Sequence, residues 1–82
     1  MYRLQVLDEV EVVVADLPTD LLAAFAEVRT ALEVSPWTVG EPLNQARPGG
    51  LRAASFASGR GLLVFGIIER DRLVTLVQLT AI

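Results

Sequence analysis

The sequence contains no cysteine, no histidine and no lysine. Without cysteine the chain cannot form a disulfide or a thiolate metal site. Without histidine it lacks the side chain that most often serves as a general base or a metal ligand. A Ser-His-Asp or Cys-His mechanism is therefore excluded within this chain. For the same reason Ser55 and Ser58 have no partner base and are not candidate nucleophiles.

Long hydrophobic runs are missing as well. No apolar stretch approaches the roughly 20 residues that a helix needs to cross a bilayer. Residues 1–6 also lack the charged region and apolar core of a signal peptide. We therefore expect a cytoplasmic protein without a membrane partner.

Apolar residues make up 52% of the 82 residues, which is above the average for globular proteins. This content is sufficient for one hydrophobic core, although the chain is close to the lower size at which a core folds without cross-links. We expect a single domain that covers residues 1–82.

Acidic and basic residues are distributed unequally along the chain. Residues 1–41 carry eight acidic residues and two arginines, a net charge of −6, whereas residues 42–82 carry five arginines and two acidic residues, a net charge of +3. The overall charge of −3 is unlike that of a general nucleic-acid-binding domain, which is usually strongly basic. A local basic surface in the second half would still suit phosphate, for which arginine is a good bidentate ligand.

Two segments of the first half are interpreted as helices. Residues 8–16 fit two patterns, because valines that alternate with acidic residues suit a strand, whereas Val10, Val13 and Val14 share one face of a helix with an acidic first turn. We favour the helix. The second helix begins at residues 18–20 and ends before Pro36, because proline disfavours helix at the preceding residue. Its apolar residues recur at spacings of four, three and four: Leu21, Phe25, Val28 and Leu32.

A long connection follows the second helix. Residues 36–50 hold three of the four prolines and three of the six glycines, so regular structure is not expected there. Loops of this length are uncommon in compact domains and are often functional. We expect Trp37 and Leu43 to pack under the sheet as anchors, and ligand stacking is the alternative role for Trp37.

The second half predicts three further strands, at residues 51–57, 62–68 and 73–82, after a short opening strand at residues 2–7. The last two strands are apolar on both faces, which is typical of strands that are covered on both sides. Two helices can cover only one face of so small a sheet. We therefore expect the other face to be a groove, a dimer surface or a partner site. The residues assigned to it are Leu62, Val64 and some of Val74, Leu76 and Gln78.

The order of these elements and several short stretches resemble the RelE/ParE toxin superfamily over essentially the whole chain. Each stretch is weak by itself, so the resemblance depends on their order and spacing. The stretches are Leu17-Pro18 before the main helix, Leu32-Glu33-Val34-Ser35-Pro36-Trp37 at its end, Gly40-Glu41-Pro42-Leu43, Leu51-Arg52, and Gly59-Arg60-Gly61-Leu62-Leu63-Val64-Phe65 before the hydrophobic last strand.

The resemblance implies an α+β fold with the element order β-α-α-β-β-β. Two helices would pack on one face of a four-stranded antiparallel sheet, with the first strand beside the last in the order 1-4-3-2.

The resemblance also implies a function. Members of the superfamily are small cytoplasmic toxins that an antitoxin protein neutralises by wrapping around them. The RelE branch cleaves messenger RNA in the ribosomal A site, and the ParE branch poisons DNA gyrase. The leading hypothesis is a toxin that inhibits translation as a ribosome-dependent, metal-independent endoribonuclease without a cofactor. Its partners would be an antitoxin, the ribosome and messenger RNA, and a dimer is compatible with the pattern.

In the RelE branch the RNA 2′-hydroxyl attacks the adjacent phosphate, and cations stabilise the charge that develops. Carried over to this chain, Arg52 matches the basic position on the first strand of the three-stranded part and Arg60 matches the arginine near the following turn. These two are the candidate catalytic residues, and Arg47 is the candidate RNA-binding residue.

One departure from the family pattern favours an alternative function. Family nucleases complete their site after the last strand with an arginine or histidine and often a tyrosine, and residues 78–82 contain none of these. The alternative is a non-enzymatic protein-binding module of the same fold, which would act by contact alone in the ParE manner or as a degenerate toxin.

Overall fold

The computed structural model describes residues 1–47 and 49–82 as an α+β fold with two helices and five strands. The strands are β1 (Arg3–Val6), β2 (Glu41–Pro42), β3 (Arg52–Phe56), β4 (Gly61–Ile68) and β5 (Leu73–Ala81), and the helices are α1 (Asp8–Ala15) and α2 (Thr19–Val34). Short 3₁₀ turns at Pro36–Thr38 and Glu69–Asp71 follow α2 and β4.

The sheet has the strand order β1-β5-β4-β3-β2 and is mixed. Strands β2 to β5 pair in antiparallel fashion, whereas β1 runs parallel to β5 with Arg3 opposite Leu73 and Val6 opposite Leu76. The prediction of a four-stranded antiparallel sheet was therefore wrong in two details. The two helices return the chain so that β1 and β5 point the same way, and the two-residue strand β2 adds a fifth strand beside β3 within the predicted loop.

Residues 8–15 form a helix, which confirms the helix favoured for residues 8–16 apart from its last residue. The acidic side chains of Asp8, Glu9 and Glu11 lie in the first turn of α1, where the exposed amides and the helix dipole favour negative charge. Val10 is completely buried and lies on the face of α1 that packs against the core. Helix α2 ends at Val34, and Pro36 begins the following 3₁₀ turn.

The hydrophobic core lies between the helices and one face of the sheet. Phe65, at the centre of β4, is fully buried, and the ring of Phe25 on α2 lies 6.0 Å from that of Phe56 on β3. Val74 and Leu76, two of the residues considered for the other face, are also fully buried in this core. The remaining core residues are Val10, Leu21, Leu32, Ala54, Leu63, Ile67 and Leu79.

In the part of the chain that the structure describes, no helix lies over the opposite face of the sheet, which we call the open sheet face. Side chains alternate between the two faces of a strand, so the partners of the core residues lie on this face. A bulge between Val64 and Phe65 in the pairing of β4 with β5 leaves Val77 without an opposite residue and preserves the alternation on both sides of it. The open sheet face includes Leu51, Ala53, Ser55, Leu62, Val64, Gly66, Ile68, Leu73, Thr75 and Gln78.

Neither helix within residues 1–47 and 49–82 combines the length and the apolar content that crossing a bilayer requires.

Candidate functional site

Arg52, the first residue of β3, is buried, with only 7% of its surface exposed. Its Nη2 donates hydrogen bonds to the carbonyl oxygens of Trp37, Val39 and Gly40 at 3.1, 3.2 and 3.0 Å. Its guanidinium carbon also lies 5.7 Å from the centre of the Trp37 ring, within the range of a cation–π interaction. The Arg52 side chain thus fastens residues 37–40 to the sheet.

The backbone around residues 36–40 explains why three carbonyl groups meet one side chain. The 3₁₀ turn at Pro36–Thr38 curls the chain, and Gly40 has a positive φ of +67°, which L side chains rarely adopt. The two turns direct neighbouring carbonyl oxygens towards the same point. A charged arginine satisfies these acceptors in a place where water has little access.

Arg60 lies in the turn between β3 and β4 and is about half exposed. Its Nη1 is 2.7 Å from Oδ2 of Asp20, in the first turn of α2. The hydrogen bond from Arg60 holds the pKa of the Asp20 carboxyl below its usual value. This exposed ion pair connects the β3–β4 turn to the beginning of α2, but pairs of this kind contribute little to stability.

Arg47, the candidate RNA-binding residue, lies in the exposed loop before β3. Its backbone N–H donates to the carbonyl of Asn44, and its own carbonyl accepts the N–H of Gly50. The first of these hydrogen bonds closes a turn at residues 44–47, and the Arg47 side chain is exposed.

The structure does not bring Arg52 and Arg60 together. Arg52 begins β3, Phe56 ends it, and Arg60 lies beyond that end. An extended strand rises about 3.3 Å per residue, so the strand alone separates the two ends by about 13 Å. The two candidate catalytic residues therefore lie at opposite ends of β3, and their side chains contact different parts of the molecule.

A cluster that the sequence analysis missed surrounds Glu69, and we call it the Glu69 cluster: Tyr2, Trp37, Glu69 and Arg72. Oε1 of Glu69 accepts hydrogen bonds from the Tyr2 hydroxyl at 2.6 Å and from Trp37 Nε1 at 2.7 Å. Oε2 of Glu69 lies 3.1 Å from Arg72 Nε, and the Arg72 guanidinium lies 5.2 Å from the centre of the Tyr2 ring. Residues from both ends and the middle of the chain thus meet at one carboxylate.

The parallel pairing of β1 assembles this cluster. The backbone N–H of Arg3 donates to the carbonyl of Arg72, which places Tyr2 beside the turn at Glu69–Asp71. The sequence of that turn shows alternating acidic and basic residues, a pattern that is typical of a solvent-exposed surface. No local pattern marks Tyr2 as their neighbour, because the contact spans 67 positions.

The hydrogen bond from Tyr2, and to a smaller extent the one from Trp37, lowers the pKa of the Glu69 carboxyl. The hydrogen bond to Glu69 in turn raises the pKa of the Tyr2 hydroxyl. A carboxylate with a lowered pKa stabilises the fold at pH values above its usual pKa of 4.5. This contribution is lost as the pH falls through the lowered pKa. We expect the fluorescence of Trp37, the sole tryptophan, to change as the pH falls below 4.5. A Glu69→Gln protein should lack this change. An identical acid transition in both proteins would contradict the assignment to Glu69.

Among the described residues, no helix covers the open sheet face. Leu51, Leu62 and Ile68 remain 45–46% exposed on it. At one end, Gly49, Gly50, Leu51, Gly66, Ile68, Thr75 and Val77 are among the residues that line a shallow depression of about 310 Å³. The charged residues of the open sheet face lie on its two outer strands, Arg3 on β1 and Glu41 on β2. The described residues of β3, β4 and β5 place no charged side chain on this face, so it suits a protein surface rather than phosphate groups.

No group of three or more acidic side chains within residues 1–47 and 49–82 is arranged to hold a metal ion.

Comparisons with known proteins identify the fold. No protein-family model matches the sequence, and no curated protein matches it at a significant level. Among solved structures, the chain is similar to one from the crystal structure of the archaeal RelE–RelB complex of Pyrococcus horikoshii OT3, with a TM-score of 0.75 and 20% sequence identity. The match covers 98% of this chain and 93% of the archaeal chain. The protein therefore has the RelE-like fold.

Proposed function

We propose that this protein is the toxin component of a toxin–antitoxin pair and that its antitoxin binds the open sheet face. The observation that carries the proposal is the exposure of Leu51, Leu62 and Ile68 on a face that none of the other described elements covers. Exposed apolar side chains on an uncovered sheet face are typical of protein interaction sites. The similar archaeal structure is that of a RelE–RelB complex.

The charge distribution supports a protein partner at this face. A surface that binds RNA presents several cations to the phosphate backbone. The exposed apolar side chains of the open sheet face are those of Leu51, Leu62 and Ile68, and the residues between them include serine, threonine and glutamine rather than cations. An amphipathic helix or an added strand from the antitoxin would bury these apolar side chains.

For the toxic action itself, the geometry favours contact with a protein target over RNA cleavage. Arg52 donates to three backbone carbonyls, and Arg60 is paired with Asp20. Cations that stabilise a developing charge have to converge on one phosphate, and these two lie at opposite ends of β3. The mode of action that we propose is therefore non-enzymatic contact.

Ribosome-dependent cleavage of messenger RNA is the second candidate, and the RelE-like fold is the observation that favours it. In that mode Arg60 would release Asp20 to reach the phosphate, Arg47 would bind RNA, and Arg52 would act through the loop that it holds. Mapping of RNA 5′ ends on ribosomes after induction of the protein distinguishes the two modes. New ends within codons at the A site would favour cleavage, and unchanged ends during growth arrest would favour contact.

The toxin assignment is tested by inducing the protein alone in a bacterial host. We expect growth to stop after induction, because the unoccupied open sheet face is free to bind the host target. Co-expression of the protein encoded by the neighbouring gene should restore growth and should yield a stable complex on purification. Normal growth in the presence of folded, abundant protein would contradict the assignment.

A further inference from the structure

Strand β5 is longer than its neighbour β1, and this difference leaves part of a sheet edge free. β5 contains nine residues, and β1 pairs with only the first four of them, from Leu73 to Leu76. The last bond on this side runs from the Leu7 N–H to the Leu76 carbonyl. Residues 77–81 of β5 therefore continue beyond β1 with β4 on one side only.

The hydrogen bonds to β4 show which backbone groups point to the free edge. The Ile82 N–H donates to the Arg60 carbonyl, so Ile82, Thr80 and Gln78 direct their backbone groups towards β4. Leu79 and Ala81, which alternate with them, direct their N–H and C=O groups to the opposite side. In the described part of the chain no strand pairs with these groups. They form a short template to which another strand can add.

A groove runs beside this edge. It has a volume of about 460 Å³ and lies between residues 79–82 and the segment from Val12 to Leu21. Leu79 and Thr80 both line it although they point to opposite faces of the sheet, so the groove follows the edge of the strand. Val13, Leu17 and Leu79 give it an apolar wall.

Charge identifies the kind of segment that fits. Asp16 is the charged residue that lines the groove, and α1 beside it carries Asp8, Glu9 and Glu11 without any basic residue. Arg60, whose carbonyl accepts the N–H of the groove residue Ile82, is already paired with Asp20. A basic segment is therefore attracted to this edge, and a second copy of the same acidic helix is repelled from it.

From these observations we infer that the free edge of β5 is a second binding site, which takes an extended peptide segment with alternating apolar residues and flanking lysines or arginines. The segment adds as a strand next to Leu79 and Ala81 and places its apolar side chains against Val13 and Leu17. This site is separate from the open sheet face, and it does not depend on the toxin assignment.

The test is a titration of the isotope-labelled protein with the acetylated peptide Lys-Val-Thr-Val-Thr-Val-Lys, followed by amide NMR. We expect saturable shifts at Leu79, Ala81 and α1. Two further peptides carry N-methyl groups either on the three valines or on the two threonines. One of the two should lose binding and the other should keep it, because only one set of amides faces Leu79 and Ala81 in an added strand. A version with glutamates in place of the lysines should bind more weakly.

Matched variants of the protein complete the test. Ala81→Pro removes one edge N–H and leaves the bonds to β4 intact, so we expect roughly fivefold weaker binding, whereas Ala81→Val should bind as the original protein does. Asp16→Lys should weaken binding roughly two- to fivefold. Absent binding, shifts confined to the open sheet face, or equal binding by the Pro and Val variants would overturn the inference. Concentration-dependent shifts at Leu79 and Ala81 without peptide would overturn it in favour of a second copy.

Discussion

Arg52→Ala is expected to lower the free energy of unfolding by about 3 kcal/mol, because it removes a charged donor and leaves the carbonyls of Trp37, Val39 and Gly40 without their partner. A domain of this size is stable by roughly 4–12 kcal/mol, so the loss would be a large part of the total. Urea unfolding followed by circular dichroism measures the change.

Three further variants isolate the cause. Arg52→Lys keeps the charge but presents fewer donors in a different geometry, so we expect it to recover only part of the loss. Arg60→Ala and Arg70→Ala change exposed arginines and should alter stability by less than about 1 kcal/mol. If Arg52→Ala were as stable as Arg70→Ala, the hydrogen bonds of Arg52 would not hold the loop.

Gly40→Ala is expected to be at least as destabilising, with a loss of about 3 kcal/mol or more. Gly40 has a φ of +67°, and a Cβ at this position would collide with the carbonyl group of Ala53, approaching its carbon to 2.8 Å and the Cβ of Ala54 to 2.9 Å. The backbone of β3 cannot move away without breaking its pairing with β4. Chemical unfolding measures this loss as well.

Two other glycines separate conformational strain from collision. Gly59 also has a positive φ, of +88°, but nothing lies within 4 Å of its Cβ position, so Gly59→Ala should cost about 1 kcal/mol from the backbone alone. At Gly49 no positive φ is required and the space is open, so Gly49→Ala should change stability by less than about 0.5 kcal/mol. Equal effects at Gly40 and Gly59 would show that the collision with Ala53 is relieved.

The structural role of Arg52 means that a loss of toxicity in an Arg52 variant is not by itself evidence for phosphate binding. A protein that carries Arg52→Ala can lose its biological effect because the segment at residues 37–40 is released, even if Arg52 never meets a phosphate. Arg47 and Arg60 are exposed, so their replacement leaves the fold intact and tests charge directly.

Much of the fold could be predicted from the sequence because local patterns determine it. The spacing of Leu21, Phe25 and Leu32 defines the buried face of α2, and all three are buried in the core. The two turns of the antiparallel part also follow from glycine and charged residues between apolar runs. The resemblance to RelE added the order of the strands, which local patterns cannot supply.

The details that the sequence did not predict depend on contacts between distant residues. The direction of β1 relative to β5 depends on how two helices return the chain, and the strand β2 contains only two residues, one of them proline. Which face of the sheet the side chains of Val74 and Leu76 point to depends on how β5 pairs with β4 on either side of the bulge at Val77. The carbonyls that surround Arg52 come from a loop whose path has no periodic signal.

The measurement that most directly tests the central claim compares growth after induction of two double variants at equal protein abundance. Our account predicts that Leu62→Lys/Ile68→Lys relieves growth arrest, because two charges disrupt the open sheet face, whereas Arg47→Ala/Arg60→Ala arrests growth as the original protein does. Val34→Lys, at an apolar position on α2 that is 65% exposed, is the control for an added charge elsewhere and should also arrest growth. Relief by the arginine variant, with full arrest by the Leu62/Ile68 variant, would contradict the account and would favour RNA cleavage.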